Sequence, residues 1–151
     1  MKILSAEAAK AKIGADLGRS DWKHIHQELV NGFADLTGDR QYIHLDPEAA
    51  RQTPLGGTVA HGFLTLALLA SLTPAGSFEL AGGKMSLNYG FDRVRFVQPV
   101  RVGQRIRTHH VLKDFEARED GNFLAKTEVA VEIEGERRPA IIAEWLVLHI
   151  T

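Results

Sequence analysis

Between residues 58 and 73 the chain places Val59, Ala60, Phe63, Leu64, Leu66, Ala67, Leu68, Leu69 and Leu72 so that, wound as a helix, they cover nearly every direction around its axis. A surface helix keeps one polar face; this one must be wrapped on several sides. With Thr58 as the amino-terminal cap and Pro74 just past the end, the pattern predicts a helix over 58–73, about 24 Å long. The most apolar window, Phe63 to Leu72, is ten residues and contains Thr65 and Ser71, against the roughly 20 needed to cross a bilayer. It reads as a core helix, with no membrane partner.

The wrapping comes from the carboxyl half. In Phe123 to Glu134, Ala125, Thr127, Val129, Val131 and Ile133 alternate with Lys126, Glu128, Ala130, Glu132 and Glu134, the period of a strand with one face in the core and one in water. Turns at Asp120-Gly121-Asn122 and Glu134-Gly135-Glu136 predict antiparallel hairpins joining Arg105–Ala117, Phe123–Glu134 and Ala140–Ile150. Met85 to Phe96 is expected to add one or two strands. An antiparallel sheet curled around one central apolar helix satisfies both patterns, so the class is α+β.

The amino half reads as short elements: a helix over Ser5–Lys12 ended by Gly14, a short strand over Trp22–His26, and a helix over Gln27–Leu36. Gly38 stands where a left-handed helix cap is expected. A loop over Asp39–Asp46 and a helical turn over Pro47–Gln52 follow. No linker or repeat divides residues 1–151, which read as a single domain.

With 18 basic against 19 acidic side chains, the net charge of −1 gives no reason to expect nucleic acid as a partner. The absence of cysteine excludes disulfides, thiolate metal sites and a cysteine nucleophile, and fits a reducing compartment. Lys2, Glu7 and Lys10 interrupt any apolar leader, so a cytoplasmic location is expected.

The chemistry-bearing pair is Asp39 and His44, five residues apart in FADLTGDRQYIHLDPEAA. A carboxylate and an imidazole that reach one cavity can share a water, one removing a proton while the other orients the water or returns a proton. The spacing alone equally allows Asp39 to cap the following turn and His44 to pack structurally. The second feature is Ala60-His61-Gly62-Phe63 in the first turn of the apolar helix. Backbone amides there lack intrahelical acceptors, and Gly62 would let a substrate approach one of them. Packing of that helix against the sheet is the alternative reason for a His-Gly pair.

The run from Phe33 through Thr37-Gly38-Asp39 to His44, followed by His61-Gly62 opening an apolar helix, resembles the MaoC-like R-specific enoyl-CoA hydratases and dehydratases of the hot-dog fold. Asn88-Tyr89-Gly90, and Val94-Arg95-Phe96 followed by Pro99 and Gly103, resemble the nodulation-protein-N-like branch of that family. The resemblance implies reversible addition of water to a trans-2-enoyl thioester, giving an R-3-hydroxyacyl thioester. Asp39 and His44 would be the catalytic pair, and the Gly62 N–H would receive the thioester oxygen. It also implies a pocket including Gln41, Tyr42, His61 and Asn88, and a homodimer. Separately, Arg93, Arg95, Arg101, Arg105 and Arg107 form a local basic cluster that offers phosphate contacts to coenzyme A, Arg93 and Arg95 first, and that reads equally as a solvated strand face. The partner would be an acyl-CoA or acyl-carrier thioester, with no cofactor apart from the coenzyme A of the substrate. Two positions depart from the family: Gln41-Tyr42 where many members have Asn-Pro, and Ala70 where some hydratases carry a serine.

His24 and His26, and the adjacent His109 and His110, lack acidic or cysteine ligands at matching spacing, so they read as surface or interface residues and no metal is expected. A hot-dog thioesterase, or a binding or dimerisation module without chemistry, are the competing functions.

Overall fold

A computed structural model describes residues 2–151. In chain order the elements are β1 (Lys2–Leu4), α1 (Ala6–Lys10), β2 (Asp16–Arg19), β3 (Lys23–His24), α2 (Gln27–Thr37), α3 (Tyr42–Leu45), α4 (Pro47–Arg51) and α5 (Gly62–Ala67). A 3-10 turn at Leu68–Ala70 extends α5, and then come β4 (Phe78–Leu80), β5 (Met85–Phe96), β6 (Arg105–Ala117), β7 (Phe123–Ile133) and β8 (Ile141–Ile150).

The main sheet runs β2-β6-β7-β8-β5 with every neighbour antiparallel, and β3 also pairs with β6. The three hairpin strands expected from the alternation of Phe123–Glu134 and the turns on either side of it are all present. On β7, Ala125, Thr127, Val129, Val131 and Ile133 are the buried positions, as the alternation requires. Met85–Phe96 is one strand with register shifts at Asn88/Gly90 and Phe91/Arg93. The core between sheet and helices is built on Ile25, Val30, Leu64, Leu69, Ile106, Val129 and Ile141. Each fully buried aliphatic side chain of this kind stabilises the fold by about 1.5–3 kcal/mol.

Two features were not legible beforehand. Strands β1 and β4, three residues each and parallel, form a separate small sheet. Beneath that end lies a second apolar cluster of Ala9, Leu17, Leu80, Leu112 and Phe115.

The apolar helix is shorter than its pattern suggests. It begins at Gly62, not Thr58, because the backbone before it is already paired: Ala60 N–H donates to the Val100 carbonyl, Val102 N–H to that of Thr58, and Val59 N–H to that of Ile43. Thr58 does not cap the helix; its hydroxyl donates to Gln27 Oε1 at 2.7 Å. Nor is the helix covered on every side within one chain, since Phe63, Ala67 and Ala70 are exposed.

Candidate active site

Helix α2 ends at Gly38, whose φ of +78° closes the helix in the left-handed conformation while its N–H donates to the Ala34 carbonyl. Asp39 follows at once. Its amide donates to Thr37 Oγ1, and its carbonyl accepts from His61 Nε2 at 2.9 Å. The expected loop over 39–46 is half helical: Tyr42–Leu45 wind into α3, with Gln41, not Asp39, at the cap position. Asp46 then accepts from the Glu48 and Ala49 amides to start α4, with Pro47 in its first turn. These two short helices turn the chain so that His44 points inward and is only 7 % exposed.

His44 Nδ1 lies 2.7 Å from the Val59 carbonyl. A carbonyl can only accept, so Nδ1 carries the proton and Nε2 of the neutral ring is left as a free base. The same reasoning makes His61 Nε2 the donor to the Asp39 carbonyl; its Nδ1 is buried without a partner among the described residues. The two rings stack with centroids 3.8 Å apart and an interplanar angle of 26°, and Phe33 closes on His61 at 5.0 Å. One ligand atom each from Asp39, His44 and His61 lie within 4.8 Å of one another.

The structure thus brings Asp39, His44 and His61 together. Such a trio has the composition of a metal site, but two stacked imidazoles hold their in-plane lone pairs side by side, whereas tetrahedral zinc needs them to converge on one point. The geometry suits proton handling as it stands. Holding the assembly is Gln27, which spacing had marked only as the start of a helix. Its Nε2 donates to the His44 carbonyl at 2.7 Å and to Asn31 Oδ1 at 2.9 Å, while its Oε1 takes the Thr58 hydroxyl. One side chain ties α2 to α3 and to the strand-like segment before α5.

A cavity of about 340 Å³ is lined by His44, Val59, Gly62, Thr65, Phe96 and Pro99, so His44 and the start of α5 face one space. The first bond closing α5 runs from Thr65 N–H to the His61 carbonyl, which leaves the Gly62 amide without an acceptor inside the helix. A Cβ on Gly62 would sit 3.0 Å from the Phe96 ring, so the glycine keeps the helix start and that ring in close approach.

The other expected site residues are placed elsewhere. Gln41 and Tyr42 are exposed beside the pair in sequence. Asn88 lines a different cavity. Arg93 and Arg95 are exposed on β5 and, by strand alternation, lie on the face opposite Phe96, so they are not gathered to the pair. Arg105 and Arg107 pair with Glu134 and Glu132 and lie over the Trp22 ring, a solvated strand face. His26 caps α2 and pairs with Glu28, and His109 pairs with Asp16. His110 departs from the surface role expected of it: it sits on the inner face of β6 and is 3 % exposed.

The family model of the MaoC like domain matches residues 8–133. Nodulation protein N of Rhizobium leguminosarum bv. viciae is 44% identical over 149 residues, covering 98% of this chain and 92% of the relative. The 3-hydroxyacyl-thioester dehydratase Z of Mycobacterium tuberculosis is 46% identical over 140 residues, 93% of this chain and 92% of the relative. Among solved structures, the (R)-hydratase from A. caviae involved in PHA biosynthesis superposes with a TM-score of 0.70 at 27% identity, over 89% of this chain and 94% of that one. The shared architecture is the hot-dog fold, α+β as its alternation and apolar helix require.

Proposed function

This chain belongs to the MaoC-like dehydratase family and is a hydro-lyase, and from that premise we propose that it adds water reversibly to trans-2-enoyl thioesters with Asp39 and His44 as its acid/base pair. The observation that carries the reading is the meeting of Asp39, His44 and His61 within 4.8 Å, with His44 Nδ1 committed to the Val59 carbonyl. A water held between the Asp39 carboxylate and His44 Nε2 loses a proton as its oxygen bonds to C3. The C2=C3 electrons move toward the thioester carbonyl, whose oxygen gains enolate character. A proton delivered to C2 completes an R-3-hydroxyacyl thioester, and dehydration runs the same path backwards.

The Gly62 N–H is the donor we assign to that oxygen, because a fixed amide aimed at developing charge lowers the barrier without reorganising. His61 is a positioning residue: its ring backs His44 and its Nε2 holds the Asp39 backbone. Water is added without net oxidation, so the reaction calls for no redox cofactor. Coenzyme A enters as part of the substrate.

A homodimer fits the surface. Among the described residues strand β5 is a sheet edge with no further neighbour, and it exposes Met85, Leu87, Tyr89 and Phe96, while Phe63 on α5 is 68 % exposed. A long apolar edge strand of this kind needs cover, and a second copy of the chain supplies an identical edge. A monomeric mass by light scattering at micromolar concentration would count against it.

Crotonyl-CoA hydration, followed as loss of enoyl absorbance with chiral analysis of the product, tests the chemistry. Asp39→Asn and His44→Ala should each lower turnover by about 100-fold or more with the fold intact. Retention of activity in both variants, or release of free thiol in place of hydration, would overturn the assignment.

A further inference from the structure

A second cavity, about 310 Å³, opens at the far end of α5, lined by Ala70, Asn88, His110, Thr127, Trp145 and His149. We propose that it receives the distal part of the acyl chain and that His110 there favours substrates bearing a hydrogen-bonding oxygen, a hydroxyl or a carbonyl, over plain alkyl chains. The inference rests on the reading of Asp39 and His44 as a hydratase pair.

His110 occupies a position of β6 that alternation turns inward, between Thr108 and Leu112. Aliphatic side chains would fill that row, yet the chain places an imidazole whose Nε2 is buried with no partner among the described residues. An unpartnered polar atom in a core destabilises the fold, so it calls for an external partner. The rest of the wall agrees. Trp145 meets the His110 ring edge-on at 6.2 Å, His149 Nδ1 bonds Ser86 Oγ at 3.0 Å, and Thr127 and Asn88 add further polar atoms to an otherwise apolar lining. A neutral imidazole offers one donor and one acceptor, which suits a hydroxyl in either tautomer and a carbonyl in one.

The reach is consistent with one ligand serving both cavities. From Gly62 to Ala70 the helix and its 3-10 extension advance about 12 Å. An extended chain covers roughly 1.2 Å per bond, so a polar group about ten bonds from the thioester carbonyl would arrive beside His110. Phe63, Ala67 and Ala70, at four- and three-residue spacing, face one way along that path, and the two alanines leave it open.

The test compares two trans-2-enoyl-CoA substrates of about ten carbons, one ending in a methyl group and one ω-hydroxylated. Crotonyl-CoA reports on the chemistry itself. The parent protein should show kcat/KM about tenfold higher for the hydroxylated chain, the scale of one added hydrogen bond. In His110→Leu that ratio should fall to one or below, and in His110→Gln, which keeps a donor and an acceptor, it should stay above one. Crotonyl-CoA hydration with equal rates on the two long substrates, or an unchanged ratio in His110→Leu, overturns the proposal. Should crotonyl-CoA not be hydrated, the hydratase reading fails. Calorimetric binding of the two saturated analogues then decides the subsite: tighter binding of the hydroxylated one supports it, and equal binding overturns it.

Discussion

Replacing Gln27 by alanine should loosen both the fold and the seating of His44. The side chain makes three hydrogen bonds: to the His44 carbonyl, from the Thr58 hydroxyl and to Asn31. Asn31 is exposed and water replaces that bond at little cost. The other two matter, because Thr58 and His44 are both buried residues. A net hydrogen bond contributes about 1 kcal/mol, and a buried group left unpaired costs about 1–3 kcal/mol, so the loss should total roughly 2–4 kcal/mol. At about 2–4 °C per kcal/mol for a chain of this size, the melting temperature should drop by roughly 4–16 °C in a calorimetric scan. Hydration of crotonyl-CoA should fall as well, up to about 100-fold if His44 moves by an ångström. Gln27→Glu sharpens the test: its carboxylate can still accept from Thr58 but cannot donate to the His44 carbonyl, so it should rescue little. A melting temperature within about 1 °C of the parent for Gln27→Ala would refute the claim that this side chain holds α2, α3 and the segment before α5 together.

Burial, with His109 alongside, holds the His110 imidazole down to a pKa of about 4. Above the ordinary value of 6.5 the ring is neutral whether the chain is folded or unfolded. Below it only the unfolded chain takes up the proton, so stability falls by about 3 kcal/mol as pH drops from 6.5 to about 4. Melting curves across that window should therefore be flatter for His110→Leu than for the parent, and parallel curves would refute the assignment. Gly76→Ala should lower the melting temperature by about 4–8 °C, the effect of roughly 2 kcal/mol, because its Cβ would lie 2.2 Å from the Leu17 carbonyl oxygen and the backbone must give way. An unchanged melt would show that the turn relaxes freely. Dialysis against a strong chelator should leave crotonyl-CoA hydration intact; loss of activity restored by zinc would mean that Asp39, His44 and His61 close around a cation after all.

The sheet was legible because one of its long strands, Phe123–Ile133, turns one face to the core and one to water. Alternation in Phe123–Ile133 needs no knowledge of partners, and Gly-centred turns set the hairpins around it. Gly38 was legible for the same local reason: a helix pattern stops and a residue free to take positive φ follows. Local reading failed where distant segments compete for one backbone. Residues 58–60 carry a helical pattern, yet their hydrogen bonds go to Ile43, Val100 and Val102, so the helix starts only at Gly62. Strands β1 and β4 are too short to show any period, and their pairing joins residues far apart in the chain.

The amino-acid order by itself determined the fold class and marked Asp39 and His44 as the pair proposed for acid/base work, since periodicity and residue type are properties of neighbours along the chain. Tertiary structure alone decided that His61 stacks on His44, that Gln27 braces them, and that His110 turns inward with its Nε2 unpartnered among the described residues. Each of those facts is a relation between elements whose meeting depends on how the sheet curls around α5. No local pattern of residues encodes such a meeting.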